Sequence, residues 1–367
     1  MQHQNQDHMH ESDCCGDSGL QFVGCDNQVL SATNEAAKPA AGGRRRQVIV
    51  AGKRVKTIDV HAHCVIPKAL ELQGKDHNKE RGPGLGDVGL RRIAEMDEQG
   101  IDVEAISINP HWYKEGRDKA VEIVKINNET LAELCAAHPD RFVGFAALTL
   151  QDPAIAVEQL VHAVKKLGMR GAAIGGSVAG DEFGNAKFDA VWRKAEELGV
   201  LLFIHPQGTP ELAHRLKGNG WLANVIGNPL DTTIALSHLI FEGTLDKFPG
   251  LKVCSAHGGG FLPQYAPRSD NGLRVAPEMD TGVNLKKRPT DYMRDMYYDT
   301  LIFTDEALRH LAHEVGVDKL VIGTDHPIPW QADSINHVLN CPHFNDAQKR
   351  MILGETAGKL LGVSPEF

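Results

Sequence analysis

Residues 56–67 read KTIDVHAHCVIP, with His61 and His63 on either side of a single alanine. Ile58, Val60 and Val65 give the stretch the apolar, β-branched character of a strand. Side chains alternate across a strand, so His61 and His63 project from the same face. A buried strand that ends this way either packs two imidazoles into a core or holds something with them, and the rest of the chain has to decide.

Upstream, RQVIVAGKRVKT carries apolar runs around a turn, the pattern of a small N-terminal hairpin leading into the first long strand. Downstream, β-type runs alternate with helical ones. The strand candidates are Thr57–His61, Val103–Ile108, Phe142–Ala147, Gly171–Ile174, Leu201–His205, Lys252–Ala256, Met296–Asp299 and Leu320–Gly323. Helix-like stretches such as GLRRIAEMDEQG, PAIAVEQLVHAVKKLG and FDAVWRKAEELG lie between them, several closing with glycine as a helix C-terminus prefers. Eight near-continuously apolar strands alternating with helices predict an α/β fold, a (β/α)8 TIM-type barrel in one domain over 47–367. The alternative is an open doubly wound sheet, and no GxGxxG loop follows the first strand to favour it.

The bulk composition narrows the function classes. With 42% hydrophobic and 24% charged residues the chain is ordinary for a soluble globular protein. A formal charge of −9, and no basic run longer than the GRRRQ at 43–47, argue against a nucleic-acid partner. No apolar run approaches the ~20 residues of a membrane span, so no membrane partner is expected. Residues 1–46 are rich in Gln, His, Asn and Gly and read as a flexible tail. Its His3, His8, His10, Cys14, Cys15 and Cys25 lack the spacing of a closed zinc site, which leaves adventitious metal affinity. The tail also lacks the layout of a secretory signal. Seven cysteines, mostly isolated in apolar segments, suit a reducing cytoplasm rather than a disulfide scaffold.

In such a barrel the chemistry sits where strands end. The first strand ends in His61 and His63, the fifth (LLFIHPQG) in His205, the sixth (LKVCSAHGGG) in His257 and the eighth (LVIGTDHP) in Asp325. Taken singly, His205 reads as a loop residue before proline, His61 as a core histidine and Asp325 as a helix cap. Taken together, imidazoles and a carboxylate at four strand ends are the donor set of a catalytic zinc, manganese or iron site.

DVHAH, FIHP, AHGGGFLP and GTDHP, in this order, resemble the amidohydrolase-related metal-dependent decarboxylases, the group that includes aminocarboxymuconate semialdehyde decarboxylase. The likeness runs from about Lys56 to Gly362 and takes in RIAEMDEQGIDVEAIS and LDKFPGLKVCSAHGGG. It implies that His61, His63, His205 and Asp325 bind one divalent ion, zinc in most of the family and manganese in similar sites. It also implies that Asp325 and His257 are catalytic, His257 as the acid/base. Arg268 matches an arginine that binds the substrate carboxylate across a subunit interface, which implies a homodimer or higher homo-oligomer; a surface salt bridge is the other reading of Arg268. The chain departs from the pattern after the first strand. There ELQGKDHNKERGPGLGDVG is short, and Arg81 is the one arginine available to match a second substrate arginine.

After the second strand, SINPHWYKEG supplies His111, Trp112 and Tyr113, which either bind a flat ring substrate or form an apolar lid on the rim. His326 either enters the site or points away. The expected activity is non-oxidative decarboxylation of a small unsaturated or aromatic carboxylic acid. A hydrolase or hydratase using metal-bound hydroxide is the second enzymatic reading. No lysine stands at the fourth strand end (RGAAIGGSVAG), which disfavours the carbamylated binuclear hydrolases. A non-catalytic metal-binding protein working through its tail is the third reading.

Overall fold

The computed structural model describes residues 45–75, 86, 88–218, 221–275, 283–328, 330, 333–365 and 367, with the backbone of two short strands, Gln21–Val23 and Val29–Ser31. Within them, eight parallel strands follow one another: β1 (Ile58–His63), β2 (Val103–Ser107), β3 (Phe142–Gly144), β4 (Gly171–Ile174), β5 (Leu201–Ile204), β6 (Lys252–Ser255), β7 (Tyr297–Asp299) and β8 (Leu320–Val321). Each has a counterpart among the eight runs predicted from sequence. The expected small hairpin is present as Ile49–Val50 paired antiparallel with Lys53–Arg54.

β1–β3 form one ladder and β4–β8 another. Parallel bridges close the ring at Ala146–Ala172 and, between β1 and β8, at Asp59–Ile322 and Ala62–His326. Every residue of β1, β2, β4 and β5 is buried, because side chains on one face fill the barrel and those on the other meet the helices. The ladder is tight: a Cβ on Gly171 would lie 2.0 Å from the Leu201 carbonyl oxygen, so only glycine fits there.

The main outer helices are α1 (Leu90–Gln99), α2 (Arg117–Ala137), α3 (Pro153–Lys166), α4 (Asp189–Leu198), α5 (Asn228–Phe241), α6 (Ala266–Val275), α7 (Asp305–Val315) and α8 (Thr356–Leu361). They bury one stripe each: Val191, Trp192 and Ala195 for α4, and Leu308, Leu311, Ala312 and Val315 for α7. Gly100 and Gly199 end α1 and α4 in the left-handed conformation, and Asp152 caps α3 by accepting from the Ile155 amide. Among the described residues no helix is long and apolar enough to cross a membrane. The tail's His3, His8, His10, Cys14, Cys15 and Cys25, and the loop residue Arg81, lie outside the described residues.

Candidate metal centre

At the C-terminal end of the barrel, His61, His63, His205 and Asp325 each bring one ligand atom within 4.8 Å of the others, and all four residues are buried. The backbone puts them there. β1 and β2 pair at Asp59–Glu104 and next at Ala62–Ile106, so β1 bulges at Val60–His61 and turns the His61 side chain inward. His205 follows β5 directly, with its amide held by the Ile174 carbonyl at 2.9 Å. Asp325 donates its amide to the His61 carbonyl at 2.7 Å.

Strain concentrates at the same place. Among the described residues four non-glycines have positive φ, and two of them are His257 (55°) and Asp325 (60°). Each such conformation costs about 1–3 kcal/mol and persists where the surroundings impose it. After His257 the chain must double back under α5, where a Cβ on Gly260 would lie 2.1 Å from the Pro229 carbonyl oxygen. The glycine run in AHGGG answers that need.

Second partners set which nitrogen of each histidine faces the centre. His61 Nδ1 lies 2.6 Å from Asp299 Oδ2, so a proton on Nδ1 leaves Nε2 pointing inward. Asp299 also accepts from the amides of His257, Gly258 and Leu301. Ser107 Oγ donates its one proton to the Ala62 carbonyl at 3.1 Å, so it accepts from His63 Nδ1 at 2.9 Å. His63 Nε2 is thereby freed as well.

The resulting arrangement calls for a cation. The two Nε2 atoms are 3.0 Å apart, and Asp325 Oδ1, buried and without a hydrogen bond, lies 3.2 Å from one and 2.9 Å from the other. Burial pushes His63 down to about 4. Burial and then the neighbouring imidazoles hold His205 well below its usual range. His61 departs from this: burial works to lower it, but the carboxylates of Asp325 and Asp299 raise it to about 10. The site therefore demands one positive charge, and a divalent ion held by three neutral imidazoles and a carboxylate satisfies that demand in place of the His61 proton. The donors fit a divalent metal.

His257 stands beside the cluster. Its Nε2 is 4.0 Å from Asp325 Oδ2, and 14% of its side chain is exposed, against none for Asp325. Trp330 donates its indole N–H to the same Oδ2 at 2.9 Å. Asp299, Ser107 and Trp330 were not among the residues expected from sequence. The first carried a signal all the same, as an acid closing the seventh strand. His326 points away: its ring meets Glu104 Oε1 at 2.5 Å and Glu95 Oε2 at 3.1 Å. Below it, buried Arg92 binds Glu104 at 2.6 Å and the His63 carbonyl at 2.7 Å, linking β2 to the end of β1.

The loop after β2 departs from expectation. Trp112 is fully buried and donates to the Leu148 carbonyl at 2.8 Å, so its ring has no face open to a substrate. An aromatic loop residue here packs inward because its N–H finds a backbone partner under the rim. His111 and Tyr113 do line a cavity of about 800 Å3, together with Asn109, Ser177, Gln207 and Thr209. The cavity starts two residues beyond Ser107 and His205, at the mouth of the barrel. Burial lowers His111 to about 3, so this imidazole is neutral. Arg268 is exposed on α6, in a separate groove with Phe261 and Tyr265, and no contact among the described residues joins it to the cluster.

Comparison with known proteins accords with this geometry. The family described as Amidohydrolase (Amidohydro_2) matches residues 58–363. The 2-amino-3-carboxymuconate-6-semialdehyde decarboxylase of Dictyostelium discoideum is 28% identical over 314 residues, 84% of this chain and 85% of that protein. The gamma-resorcylate decarboxylase of Rhizobium sp. (strain MTP-10005) is 30% identical over 326 residues, 83% of this chain and 97% of that protein. A crystal structure of dihydroxybenzoic acid decarboxylase from Polaromonas sp. JS666, with bound manganese and the inhibitor 2-nitroresorcinol, superposes with a TM-score of 0.74 at 28% identity, covering 84% of this chain and 97% of that one. The chain belongs to the amidohydrolase family, in the group whose curated members are metal-dependent decarboxylases.

Proposed function

We propose that the protein is a metal-dependent, non-oxidative decarboxylase of a small aromatic or unsaturated carboxylic acid. The observation that carries this reading is the buried three-histidine, one-carboxylate cluster with a partly exposed fourth histidine, His257, on the far oxygen of Asp325. The decarboxylase names of the relatives support it.

In the mechanism, His61, His63, His205 and Asp325 would hold one divalent ion. Such an ion would supply electron withdrawal at the acid's oxygens, which would stabilise the negative charge that builds as CO2 leaves. The bond between the carboxyl carbon and the ring or alkene carbon breaks, and its electron pair stays on the latter. His257 Nε2 delivers a proton to that carbon and recovers one from solvent through its exposed edge. Asp299 keeps the His61 tautomer fixed meanwhile. The neutral His111, with Tyr113 beside it, lines the space for the remainder of the substrate, and Trp112 serves as the buried base of their loop.

The donor set suits zinc, although the related Polaromonas structure holds manganese. Arg268 would reach a partner's substrate carboxylate in a homodimer, where its planar fork makes a bidentate contact. Cys64, Cys135, Cys254 and Cys341 are free, which supports a reducing cytoplasmic setting.

The test is CO2 release, without oxygen, from a panel of 2,6-dihydroxybenzoate, 2,3-dihydroxybenzoate, 5-carboxyvanillate and muconate by enzyme loaded with Zn2+ or Mn2+. At least one acid should release CO2, and His257→Ala should lower the rate by about 100-fold or more. Loaded enzyme that releases none, or that instead adds water to an alkene or opens a lactone, overturns the proposal.

A further inference from the structure

Two buried arginines make matching sets of contacts at different places in the barrel. Arg141, just before β3, is 5% exposed. It donates to the Asp102 and Ile101 carbonyls at 2.9 and 3.0 Å and pairs with Asp97 at 2.8 Å. Arg92, in the first turn of α1, is 2% exposed. It donates to the His63 and His326 carbonyls at 2.7 and 3.4 Å and pairs with Glu104 at 2.6 Å. Each guanidinium thus serves one carboxylate and two main-chain carbonyls. The carbonyls held by Arg141 lie before β2, at the end of the strands away from the metal cluster. Those held by Arg92 belong to a metal ligand, His63, and to the residue that follows another, Asp325.

His326 is tethered at every polar group it has. Its amide donates to Thr324 Oγ1 at 3.1 Å, and its carbonyl accepts from the His63 amide at 2.7 Å as well as from Arg92. Its ring meets Glu104 Oε1 and Glu95 Oε2, and Glu104 Oε2 is the oxygen that Arg92 binds. Asp325, one residue earlier, has φ of 60°, a strained backbone for an aspartate. Such a conformation persists only where its surroundings impose it. The His61 carbonyl holds the Asp325 amide on one side, and the tethered His326 fixes the chain on the other.

We propose that Arg92 is a positioning residue for the metal centre. Through the His63 and His326 carbonyls, and through Glu104, it holds the chain after β1 and β8 so that His63 and Asp325 meet on one ion. This role rests on the metal-binding reading of the cluster and not on the reaction catalysed. The planar fork of an arginine reaches three acceptors at once, whereas the ammonium of a lysine is a point charge on a flexible stem and cannot hold all three. Glu104 neutralises the guanidinium, so the tether adds no net charge beside the ion.

Arg141 supplies the control. Arg92→Lys and Arg141→Lys each take a fork away from one carboxylate and two carbonyls, and both are expected to lower the urea midpoint of unfolding. Arg92→Lys alone should lower Zn2+ affinity, by about 10-fold in competition with a chromophoric chelator. It should also shift the visible absorption bands of the Co2+-loaded protein, which report ligand geometry. Glu104→Gln keeps the side-chain shape and removes the charge shared by Arg92 and His326. It should weaken Zn2+ about 3–10-fold, and it tests the same tether if Arg92→Lys does not fold. Folded Arg92→Lys with Zn2+ affinity and Co2+ bands as in wild type overturns the role, as does Glu104→Gln with wild-type affinity. An equal loss of affinity in Arg141→Lys also overturns it, because the effect is then a general loosening of the barrel. Wild type that binds no Zn2+ overturns the metal centre and this role together. Affinity and spectra are read without substrate, so failure to release CO2 from any acid counts against the decarboxylase reading alone.

Discussion

Asp299 decides which nitrogen of His61 is presented to the centre, and it does so while accepting three backbone amides from the turns after β6 and β7. Replacing Asp299 by Asn puts an NH2 group where two donors already converge. On the Oδ2 side it breaks both the His61 and the His257 amide contacts, and on the Oδ1 side it breaks those of the Gly258 and Leu301 amides that hold the carboxylate in place. Asp299→Asn is therefore expected to weaken divalent-metal binding about 10–100-fold, read by chelator competition; affinity equal to wild type would show that Asp299 does not orient His61. The residue illustrates what the sequence conceals. His61, His63, His205, His257 and Asp325 are legible because imidazoles and an acid at strand ends are rare in apolar runs. Asp299 also ends a strand, but a lone acid before a helix looks like a cap. Trp330 lies in a loop with no period to read. Trp112 misleads for the converse reason: a loop aromatic beside the mouth looks like a binding surface until its indole N–H is seen to bond Leu148 beneath the rim.

At the scale of elements, the eight strands are legible because both faces are buried, and continuous apolar runs mark that situation. The bulge in β1 is not legible, since nothing in IDVHAH distinguishes a bulged pairing from a regular one. Nor is the seam between β5 and α5. There Asp231, buried in the first turn of α5, accepts the Gln207 amide at 2.7 Å and packs against Gly176. Burial, aided by Glu182 and Glu211, raises its carboxyl to about 7. Between pH 4 and 7 the folded chain thus holds a proton that the unfolded chain has released, so stability falls as pH rises through this window and levels off above it. Wild type is expected to lose on the order of 2 kcal/mol relative to Asp231→Asn between pH 5 and pH 8. Urea unfolding of both proteins at the two pH values measures this, and parallel curves would refute it.

For the whole molecule, the metal centre also closes the barrel. β1 and β8 meet through two bridges and through the amides of His63 and Asp325. The four ligands come from β1, the end of β5 and the end of β8, so one ion ties the first strand of the barrel to the middle and the last. Without it, a carboxylate and three imidazoles share one dry pocket. A ligand that binds only the folded state stabilises it by about 2.7 kcal/mol when present at 100 times its dissociation constant. For a domain of this size that corresponds to a rise in Tm of roughly 5 °C. Chelator-treated protein should melt about that much lower than protein with excess Zn2+, and Asp325→Ala should abolish the difference by removing the one ligand that neutralises the ion. Melting temperatures within 1 °C of each other, with and without metal, would mean that the cluster does not join the two ends of the barrel through a bound ion.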